Sequence, residues 1–208
     1  GPRGTKKNFE RMIEAMFLRN KLSCAVHEIR DAKTFADLKS FTLYAAPLKH
    51  STPCLGLVFQ EKDFRKIYTH KLRALGIPEG PHVGQLQEGK DLVWKGKKIK
   101  AKDVTYVQKG KKITFLLDTT VHPNCVKLAK DADVLVCDST FRHDLVEKAH
   151  AYQHLTSVEA AQIAKKAKAK KLIITHFSQR YEKDDIDDTM LQEAKKAFGK
   201  EVVCAKDF

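Results

Sequence analysis

The sequence predicts an α/β fold, in which helices cover a sheet, and three observations favour this class. Helical and strand-like segments alternate through residues 119–208, a pattern typical of a sheet with helices on its face. Three apolar runs have the length and residue types of core strands. Each of the three is followed by a histidine or an aspartate. In α/β proteins, functional side chains often lie at such strand ends.

Composition sets the broad limits. A chain of 208 residues with 42% hydrophobic side chains forms one large domain or two small ones and buries a sizeable core. No apolar run approaches the roughly 18 residues that a membrane span needs, and we expect no signal peptide. Five cysteines without a Cys-x-x-Cys pair indicate a reducing compartment and no disulfide framework. We therefore expect a cytoplasmic protein with no membrane partner.

The charge balance points to a polyanionic partner. The chain carries 39 basic against 26 acidic side chains, a net charge of +13. Such an excess suits nucleic acid, although a lysine-rich solvated surface produces the same count.

The first sixty residues predict a helix and then strands. Residues 1–22 form a loop and a helix, in which Phe9, Met12, Ile13 and Met16 recur at helical spacing and are predicted to lie in the core. Strands are predicted at residues 23–30, from 34, at 41–46 and at 54–59.

The chain changes character at residue 61. Residues 61–92 are highly charged, include a short basic helix at 70–75, and contain a turn-rich stretch at 77–81 that cannot lie inside an element. This segment is predicted to be a short protruding arm, and residues 93–112 are predicted to form a β-hairpin region. The remaining elements alternate: helices at 125–130, 157–169 and 189–198, and strands at 134–136, 172–175 and 202–204.

Residues that can bind a metal ion follow three of the predicted strands. His50 follows the strand at 41–46, Asp118 follows the run at 112–117, and His176 follows the strand at 172–175. One histidine at a strand end is more often structural. Two histidines and an aspartate at three strand ends match the imidazole and carboxylate donors that zinc prefers.

At these positions the chain resembles a known family. Thr175–Tyr181 looks like the Thr-His-Phe-Ser-x-Arg-Tyr segment of ribonuclease Z, the tRNA 3′-processing endonuclease of the metallo-β-lactamase superfamily. The resemblance runs from end to end. The other matching segments are the Gly-Pro-x-Gly-Thr loop at 1–5, the histidine ligand at 50, the aspartate ligand at 118, the acidic Thr-Phe motif at 138–141 and the His-x-Thr motif at 154–156.

The resemblance implies an αββα sandwich and two zinc ions in a complete active site, with manganese or magnesium as alternatives. Asp118 matches the bridging aspartate, His50 a ligand of the first ion and His176 a ligand of the second. Asp138 and His154 match the pair that delivers a proton to the leaving 3′-oxygen, with Asp138 orienting His154 by a hydrogen bond.

The resemblance also implies residues that bind substrate. In the family the arm grips the tRNA elbow, so Arg65, Lys66, Lys71 and Arg73 are candidate phosphate contacts; a charged surface excursion is the alternative. Arg180 is a candidate contact to a phosphate or to the 3′-end, and its alternative partner is the acidic stretch at 184–188.

One family motif is missing, and three positions depart from the pattern. The His-x-His-x-Asp-His signature precedes the matched part in the family, and no His-x-His occurs in this sequence. The chain therefore corresponds to the C-terminal portion of a ribonuclease Z, and we expect it to bind zinc weakly and to be inactive without an N-terminal half. Cys137, Leu155 and Leu117 replace a histidine, a serine and a glycine of the family motifs. We expect Cys137 to be a buried thiol rather than an extra ligand.

The resemblance implies that the function is removal of 3′ trailers from precursor tRNA by phosphodiester hydrolysis, carried out by a cytoplasmic homodimer. Two alternatives stay open. One is a non-catalytic RNA-binding or scaffold half-protein, against which the joint presence of His50, Asp118, Asp138, His154 and His176 argues. The other is a metallo-β-lactamase-fold phosphodiesterase with a different substrate, against which the arm argues.

Overall fold

The computed structural model describes residues 1–16, 23–181 and 189–206. The chain divides into two compact units. Unit 1 comprises Gly1–Gln60 and Lys112–Phe208, and unit 2 comprises Glu61–Lys111. The helices are α1 (Thr5–Ala15), α2 (Thr69–Ala74), α3 (Pro81–Gln87), α4 (Ala101–Val104), α5 (Pro123–Ala129), α6 (Val146–Ala151), α7 (Ser157–Lys166) and α8 (Leu191–Phe198). The strands are β1 (Lys33–Asp37), β2 (Phe41–Pro47), β3 (Leu55–Glu61), β4 (Phe64–Ile67), β5 (Leu92–Trp94), β6 (Lys97–Ile99), β7 (Thr105–Gln108), β8 (Lys112–Leu116), β9 (Val134–Asp138), β10 (Lys171–Thr175) and β11 (Glu201–Cys204).

Unit 1 is built on one mixed sheet. In the described residues its seven strands follow the order β1-β2-β3-β8-β9-β10-β11. Strands β1 and β2 pair antiparallel, as do β3 and β8. The pairs β8–β9, β9–β10 and β10–β11 are parallel. The carboxyl ends of β8, β9 and β10 therefore meet at one edge of the sheet, where ligand sites of α/β folds form.

One face of the parallel strands forms the core. Leu116, Leu135, Leu172 and Ile174 alternate along these strands and are fully buried in one cluster with small residues of α7 such as Ala160. Small side chains allow α7 to approach the sheet closely. Helix α7 begins with a capping box, in which Thr156 and Glu159 each bond the other's backbone N–H. This cap fixes the start of α7 directly after His154.

The opposite face of the sheet carries a row of apolar side chains. The register places Leu57 opposite Phe115, Phe115 opposite Val136, Val136 opposite Ile173, and Ile173 opposite Val203. Of these, Leu57 is 42% exposed, Phe115 36% and Val203 38%. We call this row the open face. Helices of the described residues thus cover the sheet on its other side.

The prediction that the apolar residues of the first helix lie in the core is wrong. Met12 is 48% exposed and Met16 57%, while Phe9 and Ile13 are half-buried. The residues form an amphipathic helix, as their spacing indicates, but no described residue buries its apolar side. Spacing records an apolar stripe and does not identify what the stripe packs against.

The strand predicted at residues 23–30 is also wrong, because this segment forms no regular element. Its backbone bonds to the loop at the start of the chain instead. The amino group of Gly1 donates to the His27 carbonyl oxygen at 2.8 Å, and Ile29 N–H donates to the Gly1 carbonyl oxygen at 2.8 Å. The Glu28 carboxylate accepts the Gly4 and Lys6 N–H groups. These bonds replace the ladder that a strand would need.

Unit 2 has a core of its own. Strands β4 and β7 pair antiparallel, β5 and β6 form a hairpin, and three short helices complete the unit. Its buried cluster contains Leu72, Ile77, Leu86, Leu92, Ala101 and Val104. The predicted arm at 61–92 and the hairpin after it both lie within this unit.

The two ends of unit 2 are bonded to each other. The Glu61 N–H donates to the Lys111 carbonyl oxygen at 2.8 Å. A Cβ on Gly110 would lie 2.0 Å from the Glu61 carbonyl oxygen, so only glycine fits there. Among the described residues of the whole chain, no helix is long and apolar enough to cross a membrane.

Candidate metal centre

Four side chains with metal-binding atoms converge at the carboxyl edge of the parallel strands. Asp118 follows β8, Asp138 ends β9, His176 follows β10, and His154 precedes the cap of α7. One ligand atom from each lies within 4.8 Å of every other. Asp118 has φ 50° and His176 φ 65°, the left-handed region in which most residues are strained. These turns direct both side chains into the site as their strands end.

Asp138 is the buried hub of the cluster. Its side chain is fully buried, and its Oδ1 accepts the Thr140 N–H at 2.9 Å and the Thr140 hydroxyl at 2.7 Å. Its Oδ2 accepts the Thr119 N–H at 3.2 Å and lies 2.8 Å from His154 Nδ1. These donors satisfy a carboxylate that would be costly to bury alone. The hydrogen bond to His154 is the contact that the sequence predicts.

The Thr140 hydroxyl sets the orientation of His176. Because Thr140 donates its proton to Asp138, its oxygen accepts from His176 Nδ1–H, which lies 2.8 Å away. In this assignment from the hydrogen-bond network, the unprotonated nitrogen of His176 is Nε2. Metal-binding histidines are held in the same way, with one ring nitrogen donating to a neighbour and the other free for the ion.

Asp118 places a buried oxygen against that free nitrogen. Asp118 Oδ1 lies 2.8 Å from His176 Nε2, yet it makes no hydrogen bond in the described residues. Two unprotonated donor atoms at this separation repel each other unless a cation binds both. A buried carboxylate oxygen and a neutral imidazole nitrogen are donors that zinc accepts. The donor set thus fits a divalent metal ion.

His154 lies between the other two histidines. Its ring is stacked 5.1 Å from that of His176 and lies 4.8 Å from that of His50. The hydrogen bond from Asp138 raises the pKa of His154 above its ordinary value, and burial opposes this in part. His154 Nδ1 faces Asp138, so Nε2 is the ring nitrogen that this carboxylate does not bind.

His50 stands beside the four-residue group rather than in it. Its Nδ1 lies 3.1 Å from the Gln153 carbonyl oxygen, and its ring packs against His154. When Nδ1–H donates to that carbonyl oxygen, Nε2 is unprotonated and its lone pair can bind a metal ion. The structure therefore brings Asp118, Asp138, His154 and His176 together, with His50 at ring contact.

The predicted substrate-binding residues are placed as follows. The Arg180 guanidinium lies 5.1 Å from the Phe141 ring centroid and donates to Ser178 Oγ, while its alternative partner at 184–188 lies outside the described residues. In unit 2, Arg65 donates to Thr105 Oγ1, Lys66 lies over the Phe64 ring, Lys71 lies over the Tyr68 ring, and Arg73 is exposed.

Sequence reasoning missed the hydroxyls that support the site. Thr140 joins Asp138 to His176, and Thr119 donates its N–H to Asp138 and its hydroxyl to the Lys49 carbonyl oxygen. Thr119 directly follows Asp118 and Thr140 lies two residues after Asp138, which is the signal that would have pointed to them. Cys137 is fully buried and burial raises the pKa of its thiol well above the usual range, so this side chain is a core thiol.

Curated proteins similar to the chain are named ribonuclease Z. The protein from Lactiplantibacillus plantarum is 39% identical over 185 residues, which is 88% of this chain and 59% of that protein. The protein from Picosynechococcus is 36% identical over all of this chain and 67% of its own length. The one from Archaeoglobus fulgidus is 34% identical over 88% of this chain and 60% of its length. The chain thus spans about half to two thirds of the length of the curated relatives it matches.

Solved structures show the same fold. A metallo-β-lactamase fold protein from Bacillus subtilis has a TM-score of 0.61 at 18% identity, covering 99% of this chain and 61% of that one. Human tRNase Z, short form, has a TM-score of 0.61 at 24% identity, covering all of this chain and 64% of that one. No protein-family model matches the chain. Identity of 36% to a relative of which the chain covers 67% shows that the chain belongs to the ribonuclease Z family.

Proposed function

We propose that the chain is the C-terminal portion of a metal-dependent endoribonuclease that removes 3′ trailers from precursor tRNA by phosphodiester hydrolysis. The observation that carries this proposal is the close approach of Asp118 Oδ1, which accepts no hydrogen bond, to His176 Nε2 at 2.8 Å within the four-residue group. A cation bound there would relieve this close approach. The relatives named ribonuclease Z support the reaction class.

The proposed metal is zinc, with manganese or magnesium as alternatives, and a complete site holds two ions. Asp118, His176 and His50 would hold these ions, with Asp118 as the ligand that both share. When bound, the ions supply an activated water and neutralise charge that develops on the phosphate. Asp138 holds the site in shape through Thr140 and His154, because it is buried and bonded to both.

His154 is proposed to deliver a proton to the leaving 3′-oxygen. Asp138 fixes its Nδ1 and raises the pKa of the ring, so the Nε2 proton is retained to a higher pH than in a free histidine. We expect His154→Ala to slow cleavage by the completed enzyme by about 10²–10⁴-fold, with its metal content unchanged. Loss of the metal in this variant would identify His154 as a ligand and contradict the assignment.

A further segment is proposed to complete the site. Leu57, Phe115 and Val203 on the open face are partly exposed, and a second apolar layer packed on it would bury them. An N-terminal segment, on the same protein or on a partner, would supply that layer and the missing ligands. The complete protein is proposed to act as a cytoplasmic homodimer.

The test is zinc per chain, measured by elemental analysis after exchangeable metal has been washed away. The chain alone is expected to hold much less than one zinc and to leave precursor tRNA uncut. The chain mixed with the N-terminal third of a ribonuclease Z relative is expected to hold about two zincs and to cleave. Stoichiometric zinc and robust cleavage by the chain alone would refute the need for a completing segment. Absence of both from the mixture would refute the proposed function.

Phosphate binding is proposed for the cations of unit 2. Lys66, Lys71 and Arg73 are exposed and Arg65 is half-buried, so these side chains can reach a tRNA backbone. Arg180 is proposed to bind a phosphate near the metal site. Contacts of this kind release counterions, so tRNA affinity should fall steeply with salt.

A further inference from the structure

The two faces of the β4–β7 strand pair in unit 2 differ in character. Ile67 and Thr105, which pair with each other, point to the inside: Ile67 packs against the core of the unit and Thr105 is buried. Side chains alternate along a strand, so Phe64 and Lys66 on β4 share the other face with Tyr106, which pairs with Lys66. On this outer face Phe64 is 39% exposed and Tyr106 is 37% exposed.

Aromatic rings and cations are interleaved on this outer face. The Tyr68 ring follows the end of β4 and lies 4.9 Å from the Tyr106 ring, with the planes tilted by 35°. The Lys71 ammonium lies 4.6 Å from the Tyr68 ring centroid, and the Lys66 ammonium lies 5.7 Å from that of Phe64. We call this set the aromatic platform.

The charge around the platform is positive. Residues 61–111 contain thirteen lysines and arginines against six aspartates and glutamates. Asp63, the acidic neighbour of Phe64 in sequence, is paired with Lys109 at 2.7 Å. A polyanion can therefore approach the rings with little opposition from carboxylates.

We propose that the aromatic platform stacks unpaired nucleobases of RNA, a role that rests on the proposed function in tRNA processing. Exposed aromatic side chains on strands, flanked by lysines, are the arrangement with which proteins hold single-stranded nucleic acid. Phe64 and Tyr106, the exposed rings, offer faces for bases, and Lys66 and Lys71 contact the adjoining phosphates. The segment would then recognise unpaired loops as well as backbone charge.

Binding of nucleobases and binding of phosphate charge can be measured separately. The probe is a fluorescein-labelled single-stranded RNA of eight adenosines, and its control is an abasic phosphodiester of the same length and label. Binding of both to the full chain is measured by fluorescence anisotropy at fixed salt. The test variant combines Phe64→Leu with Tyr106→Leu, which removes two rings and keeps apolar side chains. The matched control is Phe64→Tyr with Tyr106→Phe, which keeps both rings.

The chain is expected to bind the adenosine oligomer at least about tenfold more tightly than the abasic one, because each stacked base contributes strongly. The leucine variant should bind both oligomers equally, and the ring-preserving variant should match the original chain. Equal binding of the two oligomers by the original chain, or no effect of the leucine changes, would overturn the proposal. Circular dichroism of the same samples shows whether the fold has failed instead, and the zinc content of each variant mixed with the N-terminal third of a ribonuclease Z relative tests the metal centre separately.

Discussion

At the scale of single residues, the Thr140 hydroxyl decides which nitrogen of His176 faces Asp118. We expect Thr140→Val to weaken zinc binding by about 10–100-fold, as removal of such supporting bonds does in other metal sites. Valine fills the same volume but can neither donate to Asp138 nor accept from His176. Competition with a chromophoric chelator measures the change, and Thr140→Ser is the control that keeps the hydroxyl. Unchanged affinity in the valine variant would show that the hydroxyl does not orient the ligand.

Cysteine reactivity gives a second expectation. Burial and the nearby Asp118 charge raise the pKa of Cys54 to about 11, and only a thiolate reacts with iodoacetamide. At pH 8 the Cys54 thiol lies below its pKa and is protonated, so labelling should be slow; it should accelerate as pH rises toward 11. Mass spectrometry of the labelled peptides follows Cys54 beside the exposed Cys24. Fast labelling of Cys54 at pH 8 would contradict the expected burial.

The residues that sequence patterns could identify are those with chemistry of their own. His50, Asp118, Asp138, His154 and His176 were all candidates, and the structure brings four of them into one group. Thr140 was not found, because a hydroxyl that bonds both Asp138 and His176 has no periodicity and no charge to mark it in the sequence. Tyr106 was not found either, because its partner Lys66 lies on another strand of unit 2 and no local sequence pattern connects the two residues.

At the scale of elements, the alternating segments after residue 119 were predicted well. Strands β9, β10 and β11 and helices α5, α7 and α8 fall where the apolar runs and helical periods indicate. The strand predicted at residues 23–30 is absent. The backbone of this segment bonds to the loop at 1–6 instead, and no local sequence pattern encodes that partner.

The capping box of α7 has a measurable share in stability. We expect Thr156→Ala to lower the free energy of unfolding by about 1–2 kcal/mol, because the Thr156 hydroxyl accepts the Glu159 N–H and donates to the nearly buried Glu159 carboxylate, whereas alanine keeps only the bond from its backbone N–H. Urea unfolding followed by circular dichroism measures this, and Thr156→Ser is the matched control. An alanine variant as stable as the original would show that the cap is not needed.

At the scale of the whole molecule, unit 2 is an insertion between paired strands. Gln60 on β3 lies opposite Lys112 on β8, a register that a two-residue turn can close. We expect a chain with Asn-Gly in place of residues 61–111 to fold and keep its metal affinity, since the clustered ligands all belong to unit 1.

The same replacement should weaken tRNA binding and flatten its dependence on salt, because thirteen cationic side chains are removed. Filter binding at several salt concentrations measures both quantities. Replacing Lys95 and Lys97 with glutamine in the intact chain is the control, as it lowers charge and leaves the aromatic platform. An unchanged salt slope in the shortened chain would place tRNA binding on unit 1.

The bonded ends of unit 2 have a consequence for how the chain reaches its native state. Val58 must pair with Thr114, far along the chain, and closing so long a loop costs conformational entropy. Unit 2 has its own core, and its ends meet at Glu61 and Lys111. If unit 2 forms first, β3 and β8 emerge side by side and their pairing becomes a local event. Unit 2 would then lower the effective contact order of the sheet, because it holds the ends of β3 and β8 together while they pair.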